Sequence, residues 1–204
     1  MSGVAIYMEG GGDGASARAA LRQGMDTFLE PLKQAARDRS WRWRLVCCGS
    51  RNEAHRGFRS ALDHGDGSVC ILLVDAEGPM KQPARDHLRS RDGWDLRTTT
   101  EDRIHLMVQA MEAWIVADPS ALARYYGQGF RPAALPKTRN LEEVSKQDLD
   151  RGLRQATQAT GKGRYHKIKH ASDLLKRIDV STVTSRCDHC KRLYEVLGKI
   201  LATS

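Results

Sequence analysis

Three carboxylates stand where short apolar runs stop: Glu9 after Val4 to Met8, and Asp75 and Glu77 after Val69 to Val74. If those runs are strands of one parallel sheet, their ends share a rim, which is where such sheets bind ligands. Glu9 and Asp75, 66 positions apart in the chain, would then meet. Hard divalent cations such as Mg2+ and Mn2+ take oxygen ligands and leave positions for water and phosphate oxygens. The expected metal set is therefore Glu9, Asp75 and Glu77. Such a centre can hydrolyse a phosphodiester, the ion activating water and steadying the leaving oxygen. Gly10, Gly11, Gly12 and Gly14 keep side chains away from Glu9 and let backbone approach a ligand, and Gly78 does the same after Glu77. A single Glu-Gly or Asp-x-Glu is more often a solvated turn. The weight rests on the three occurring together.

Glu112 is the next candidate. It lies beside Met111 and Trp114 in an apolar segment, where a carboxylate is costly unless paired or bound to metal. It is expected to bind a second ion or support the first, with an outward-facing helix position as the alternative. The stretch Lys162 to His170 is the strongest basic patch. Arg164, Lys167, Lys169 and His170 are the expected phosphate contacts, Lys167 doubling as a catalytic cation, and Tyr165 offers a ring on which a base could stack. The plainer reading of such a run is a solvated face. Glu9, Asp75, Glu77, Glu112 and Lys167 form the expected catalytic set.

Other chemistries fit less well. Cys187-Asp-His189-Cys190 has the spacing of half a zinc site, and the other half is missing. The glycine loop is not a P-loop, because Ala15 and Ser16 follow Gly14 where Lys and then Ser or Thr are needed. No dinucleotide fingerprint with a downstream acidic residue and no nucleophile elbow is present.

The elements that must position these residues alternate. The pattern predicts strands at Val4–Met8, Trp43–Cys48, Val69–Val74 and Ile104–Val108. Helices are predicted at Ala15–Asp38, Asn52–Leu62 and from Pro119 to Tyr126, the last capped by Asp118. After a loop from Gly127 to Asn140, helices follow at Lys146–Thr157, Lys167–Ile178 and Cys187–Leu201, with Ser185 as the last N-cap. Runs apolar on both faces, alternating with helices, indicate an α/β fold with a parallel sheet flanked by helices and a mostly helical C-terminal third. The expected organisation is one domain over residues 1–204, an α/β core at 1–118 with the helical part at 141–204 packed on it.

Composition bounds the partners. Hydrophobic residues are 40% and charged residues 28%, unlike a disordered chain. No run approaches the roughly 18 apolar residues of a membrane span, and a cytoplasmic protein without a membrane partner is expected. Five cysteines, two of them adjacent, make a poor disulfide framework; Cys47, Cys48 and Cys70 read as core filler. A net charge of +8 favours a polyanionic partner such as DNA or RNA.

A strand ending in Glu9-Gly10 with Asp13 soon after, and a later strand ending in Asp75-Ala76-Glu77, resembles the Toprim motif of topoisomerases, primases and overcoming-lysogenization-defect nucleases. These stretches, with Met111-Glu-Ala-Trp114, Ala117-Asp-Pro119 and Lys167 to Leu175, also resemble, over nearly the whole chain, an uncharacterised bacterial domain-of-unknown-function family. The resemblance implies a Toprim-like (Rossmann-like) fold, a metal-dependent nuclease using Glu9, Asp75 and Glu77 with Asp13 as a further metal ligand, an ATPase partner encoded nearby and a role in defence against phage. Toprim proteins typically carry Asp-x-Asp where this chain has Asp75-x-Glu77. The leading expectation is thus a Mg2+- or Mn2+-dependent nuclease. A non-catalytic subunit docking on an ATPase or nucleic acid, and a phosphoryl-transfer enzyme acting on a small nucleotide, stand as alternatives. The oligomeric state is left open.

Overall fold

Three of the four strands are buried on both faces and must be covered on both, and this dictates the architecture. The computed structural model describes residues 2–12, 14–65 and 67–203. Its sheet comprises β1 (Gly3–Met8), β2 (Arg42–Cys47), β3 (Ser68–Asp75) and β4 (Ile104–Met107), in the order β2-β1-β3-β4. All pairings are parallel; Met8 lies opposite both Cys47 and Leu73, and Asp75 opposite Met107. Alternate side chains divide between two cores. Val4, Ile6, Met8, Ile71 and Leu73 face one, and Ala5, Tyr7, Cys70, Leu72 and Val74 the other.

Helices α3 (Arg51–Asp63) and α4 (Ala84–Asp92) cover the second core with Ala54, Phe58, Ala84 and Leu88. The first is covered by α1 (Ala15–Phe28), α2 (Glu30–Asp38) and α5 (Glu112–Ala117), and by α6 (Pro119–Tyr126), α7 (Lys146–Thr157) and α8 (Lys167–Leu175). α9 (Val180–Thr184) and α10 (Asp188–Ala202) complete it. The helical C-terminal part thus packs on the same sheet face as α1. This is a helix-flanked parallel sheet of Rossmann-like layout. The chain leaves β1 for β2 on one side, while β3 lies on the other, so the strand order reverses between β1 and β3. Crevices at such reversals are the natural ligand sites of open sheets. Among the described residues no helix is long and apolar enough to cross a membrane.

Two local expectations need correction, and one helix lies where none is predicted. The single helix expected over Ala15–Asp38 breaks at Leu29, because Pro31 occupies the first turn of a new helix, where its missing N–H costs nothing. The polar stretch before β4 contains α4, which buries only Ala84 and Leu88 and so shows little periodicity. Ser185 does not cap α10: it closes α9, its hydroxyl donating to the Thr182 carbonyl at 2.8 Å, and Cys187 precedes α10.

α1 and α8 pack closely through Gly24, where an added Cβ would stand 2.4 Å from the Ser172 carbonyl oxygen. Gly24→Ala is therefore expected to cost about 1–3 kcal/mol of stability by forcing the helices apart. Urea denaturation reads this directly, and an unchanged midpoint would mean that the pair separates freely.

Candidate metal centre

Asp75 is the last residue of β3 and continues the inward row of Ile71 and Leu73, so a carboxylate is buried at 2% exposure. Its Oδ1 accepts the Met111 N–H at 2.9 Å, and its own N–H donates to Glu9 Oε1 at 3.1 Å. Glu9 follows β1 directly across the β1–β3 crevice. Glu77 turns back toward both from a left-handed backbone, φ 64, held by its N–H donating to the Gln109 carbonyl at 2.8 Å. Oxygens of Glu9, Asp75 and Glu77 lie within 4.8 Å of one another. Opposite oxygens around an octahedral Mg2+ stand about 4.2 Å apart, twice its bond length. Three ligands allow at most one such opposite pair, and adjacent oxygens stand about 3.0 Å apart, so the three side chains would have to draw closer together to hold such an ion.

A left-handed glutamate costs about 1 kcal/mol or more and is retained only where its surroundings enforce it. Glu77→Gly is expected to leave stability within about 1 kcal/mol of wild type, because relief of that strain offsets the lost Lys146 pair and the freer unfolded chain. Mn2+ affinity, measured by calorimetry, should fall by about tenfold or more. Equal affinity would remove Glu77 from the ligand set.

Cations surround the acids. Arg51 Nη1 reaches Glu9 Oε2 at 3.2 Å and the Asp75 carbonyl. Its other edge is held by both oxygens of Asp92 at 2.9 and 2.8 Å, and the guanidinium lies 5.1 Å from the Trp94 ring centre. Lys146 pairs with Glu77 and lies 3.7 Å from Asp75. Lys167 bridges Asp75 and Glu112, 3.3 Å from each. Arg51, Lys146 and Lys167 are the first residues of α3, α7 and α8. Cations there oppose the helix dipole; the acids they face account for their presence.

Glu112, first residue of α5, is buried and faces inward, accepting from the Tyr165 hydroxyl at 3.2 Å as well as from Lys167. Burial and then the Glu112 charge push the Tyr165 hydroxyl well up, so it stays a donor. Burial disfavours the Lys167 ammonium, but Asp75 and Glu112 outweigh it and raise its pKa. For Glu9, burial first and the Asp75 charge second raise the carboxyl from 4.5 to about 7, against Arg51, the Asp75 N–H and Lys167. Glu9 therefore exchanges its proton near neutral pH.

Residues 8–198, from the end of β1 into α10, match the family described as Domain of unknown function (DUF4276). The chain belongs to this family. The matched span takes in every acid and cation of the centre. No curated protein and no solved structure matches the chain.

The remaining expected residues of this DUF4276 chain are placed as follows. Asp13 lies outside the described residues. Lys167 joins the centre, whereas Arg164 and Lys169 are exposed and line neither of the two cavities beside it. His170 turns inward: its Nδ1 accepts the His166 N–H at 3.1 Å beside the Tyr126 hydroxyl, and burial, then neighbouring cations, lower its pKa. There it does not face outward to phosphate. Tyr165, at 2% exposure, has no open face for a base. Asp118 caps α6 by accepting the Ala121 N–H. Cys187 and Cys190 are buried free thiols, His189 pairs with Glu142, and among the described residues they gather no metal-like cluster. Sequence reasoning missed Arg51, Lys146 and Asp92. The readable signal for the first two is position, since Ser50 and Ser145 cap their helices immediately before them.

Proposed function

We propose that the chain is a Mg2+- or Mn2+-dependent phosphodiesterase that hydrolyses DNA or RNA. The observation that carries this reading is the convergence of Glu9, Asp75 and Glu77 within 4.8 Å at the reversal point of the sheet. Those three would hold the ion, whose chemistry is to activate water and offset charge on the leaving oxygen. Lys146 and Lys167 would turn from the acids to the phosphate oxygens, where ammonium groups stabilise developing charge. Arg51, fixed by Asp92 and Trp94, would keep Glu9 aimed inward, and Tyr165 with Glu112 would hold Lys167 in place. A glutamate after β1 and Asp-x-Glu after β3 match the Toprim pattern, and that resemblance also carries the proposal of an ATPase partner in phage defence.

One observation favours a second reading, a non-catalytic platform: every acid of the centre already has a cationic partner, so no acid needs a metal to be paired. Cleavage of single-stranded DNA, duplex DNA and structured RNA separates the two. Cutting of at least one substrate with Mn2+, stopped by EDTA, is expected. Cutting that persists in EDTA would overturn metal dependence, and silence across all three would favour the platform.

A further inference from the structure

The acidic centre occupies one end of a larger depression. A cavity of about 480 Å³ opens beside it, and the two share Gly10, Met111, Lys146 and Lys167. Its wall away from the shared end is apolar, formed by Ala17 and Leu21 of α1 and Ile168 and Ala171 of α8, while Glu112 and Asp150 also line the cavity. Ile168 is 55% exposed, yet it stands in this concave wall. The floor is bare backbone. Gly10, Gly11 and Gly12 have φ of 115, 86 and 60, and a Cβ on Gly10 would fall 2.7 Å from Leu21 Cδ2. Arg154, 2.7 Å from Asp150, and His166 add polar groups to the lining.

A cavity of a few hundred Å³ with apolar walls and a few convergent polar groups suits a small-molecule-sized unit. Lys146 and Lys167 face the acids and the cavity alike, so a phosphate held between them places its sugar and base over the apolar wall. Bases stacked inside a duplex cannot enter; a base must first leave the stack.

We infer that the cavity receives one unpaired nucleotide of the substrate, its base against Ile168 and Leu21 and its phosphate between Lys146 and Lys167. The phosphate's place rests on the phosphodiesterase reading. The substrate class is then single-stranded nucleic acid, a strand end or a flipped nucleotide, and not continuous duplex.

Calorimetric binding of thymidine 5′-monophosphate and of inorganic phosphate to the full chain in Mn2+ tests this. Wild type should prefer the nucleotide by about tenfold, the effect of burying one apolar face. Ile168→Asp, at an exposed position, and Ala17→Trp, which fills the cavity, should each remove the preference while Mn2+ affinity stays within about twofold of wild type. A single-stranded oligonucleotide should displace the nucleotide and its duplex should not. No preference in wild type, a preference surviving both variants, or equal displacement by duplex overturns the inference. Absence of Mn2+ binding defeats the phosphodiesterase reading instead. Nucleotide preference measured in EDTA then decides the cavity, its loss in Ile168→Asp supporting the inference and its absence in wild type overturning it.

Discussion

Asp75→Asn is expected to fold, to bind Mn2+ more weakly by about two orders of magnitude, and to lose cleavage with it. Asp75 is the hub of the centre: Oδ1 takes the Met111 N–H, Oδ2 faces Lys167 and Lys146, and its backbone joins Glu9 and Arg51. An asparagine oxygen can keep the Met111 contact, and the backbone contacts are untouched. Lys167 retains Glu112. What disappears is the negative charge, and with it the anionic oxygen proposed to hold the ion. Calorimetry with Mn2+ and a thermal melt read the two halves of this result. Wild-type Mn2+ affinity in a folded Asp75→Asn protein would exclude the centre.

The second large effect is on stability, and it reverses intuition: in EDTA at about pH 8, Glu9→Gln should be more stable than wild type. Glu9 titrates near 4.5 when unfolded and at about 7 when folded. Between those values the folded chain holds a proton that the unfolded chain has released, so stability drains away as pH rises through the window. The gap corresponds to about 3 kcal/mol at most. His105 works in the opposite direction, since burial, then Arg192, depress it from 6.5 to about 3 and its contribution grows as pH rises across that range. The difference between wild type and Glu9→Gln cancels His105 and isolates Glu9. Added Mn2+ competes with the proton and should stabilise wild type most above pH 7 and Glu9→Gln little. Urea midpoints at about pH 5 and pH 8, with Mn2+ or EDTA, measure all of this. Parallel pH profiles for the two proteins would contradict it.

The acids were legible in the sequence because strands buried on both faces read as unbroken apolar runs, and an acid that ends such a run stands out. Lys167 was legible through its charged neighbours. The same neighbours misled at Tyr165 and His170, since a helix start sends alternate members of a basic run inward, to Glu112 and Tyr126. Arg51 and Lys146 carried no motif; their roles come from tertiary placement, which brings three helix starts to one rim. Asp92 was hidden in α4, whose two buried residues leave no periodic trace. The resemblance carried the family, and the physical reading of strand and glycine turn carried the sheet.

The acids of the centre arise at positions 9, 75, 77 and 112, whereas two of its three cations come from positions 146 and 167. A ribosome therefore delivers the negative charges first. Until the segments of α7 and α8 are made, Arg51 is the one cation of the three that has been synthesised, so the charge balance of the centre is completed late in translation.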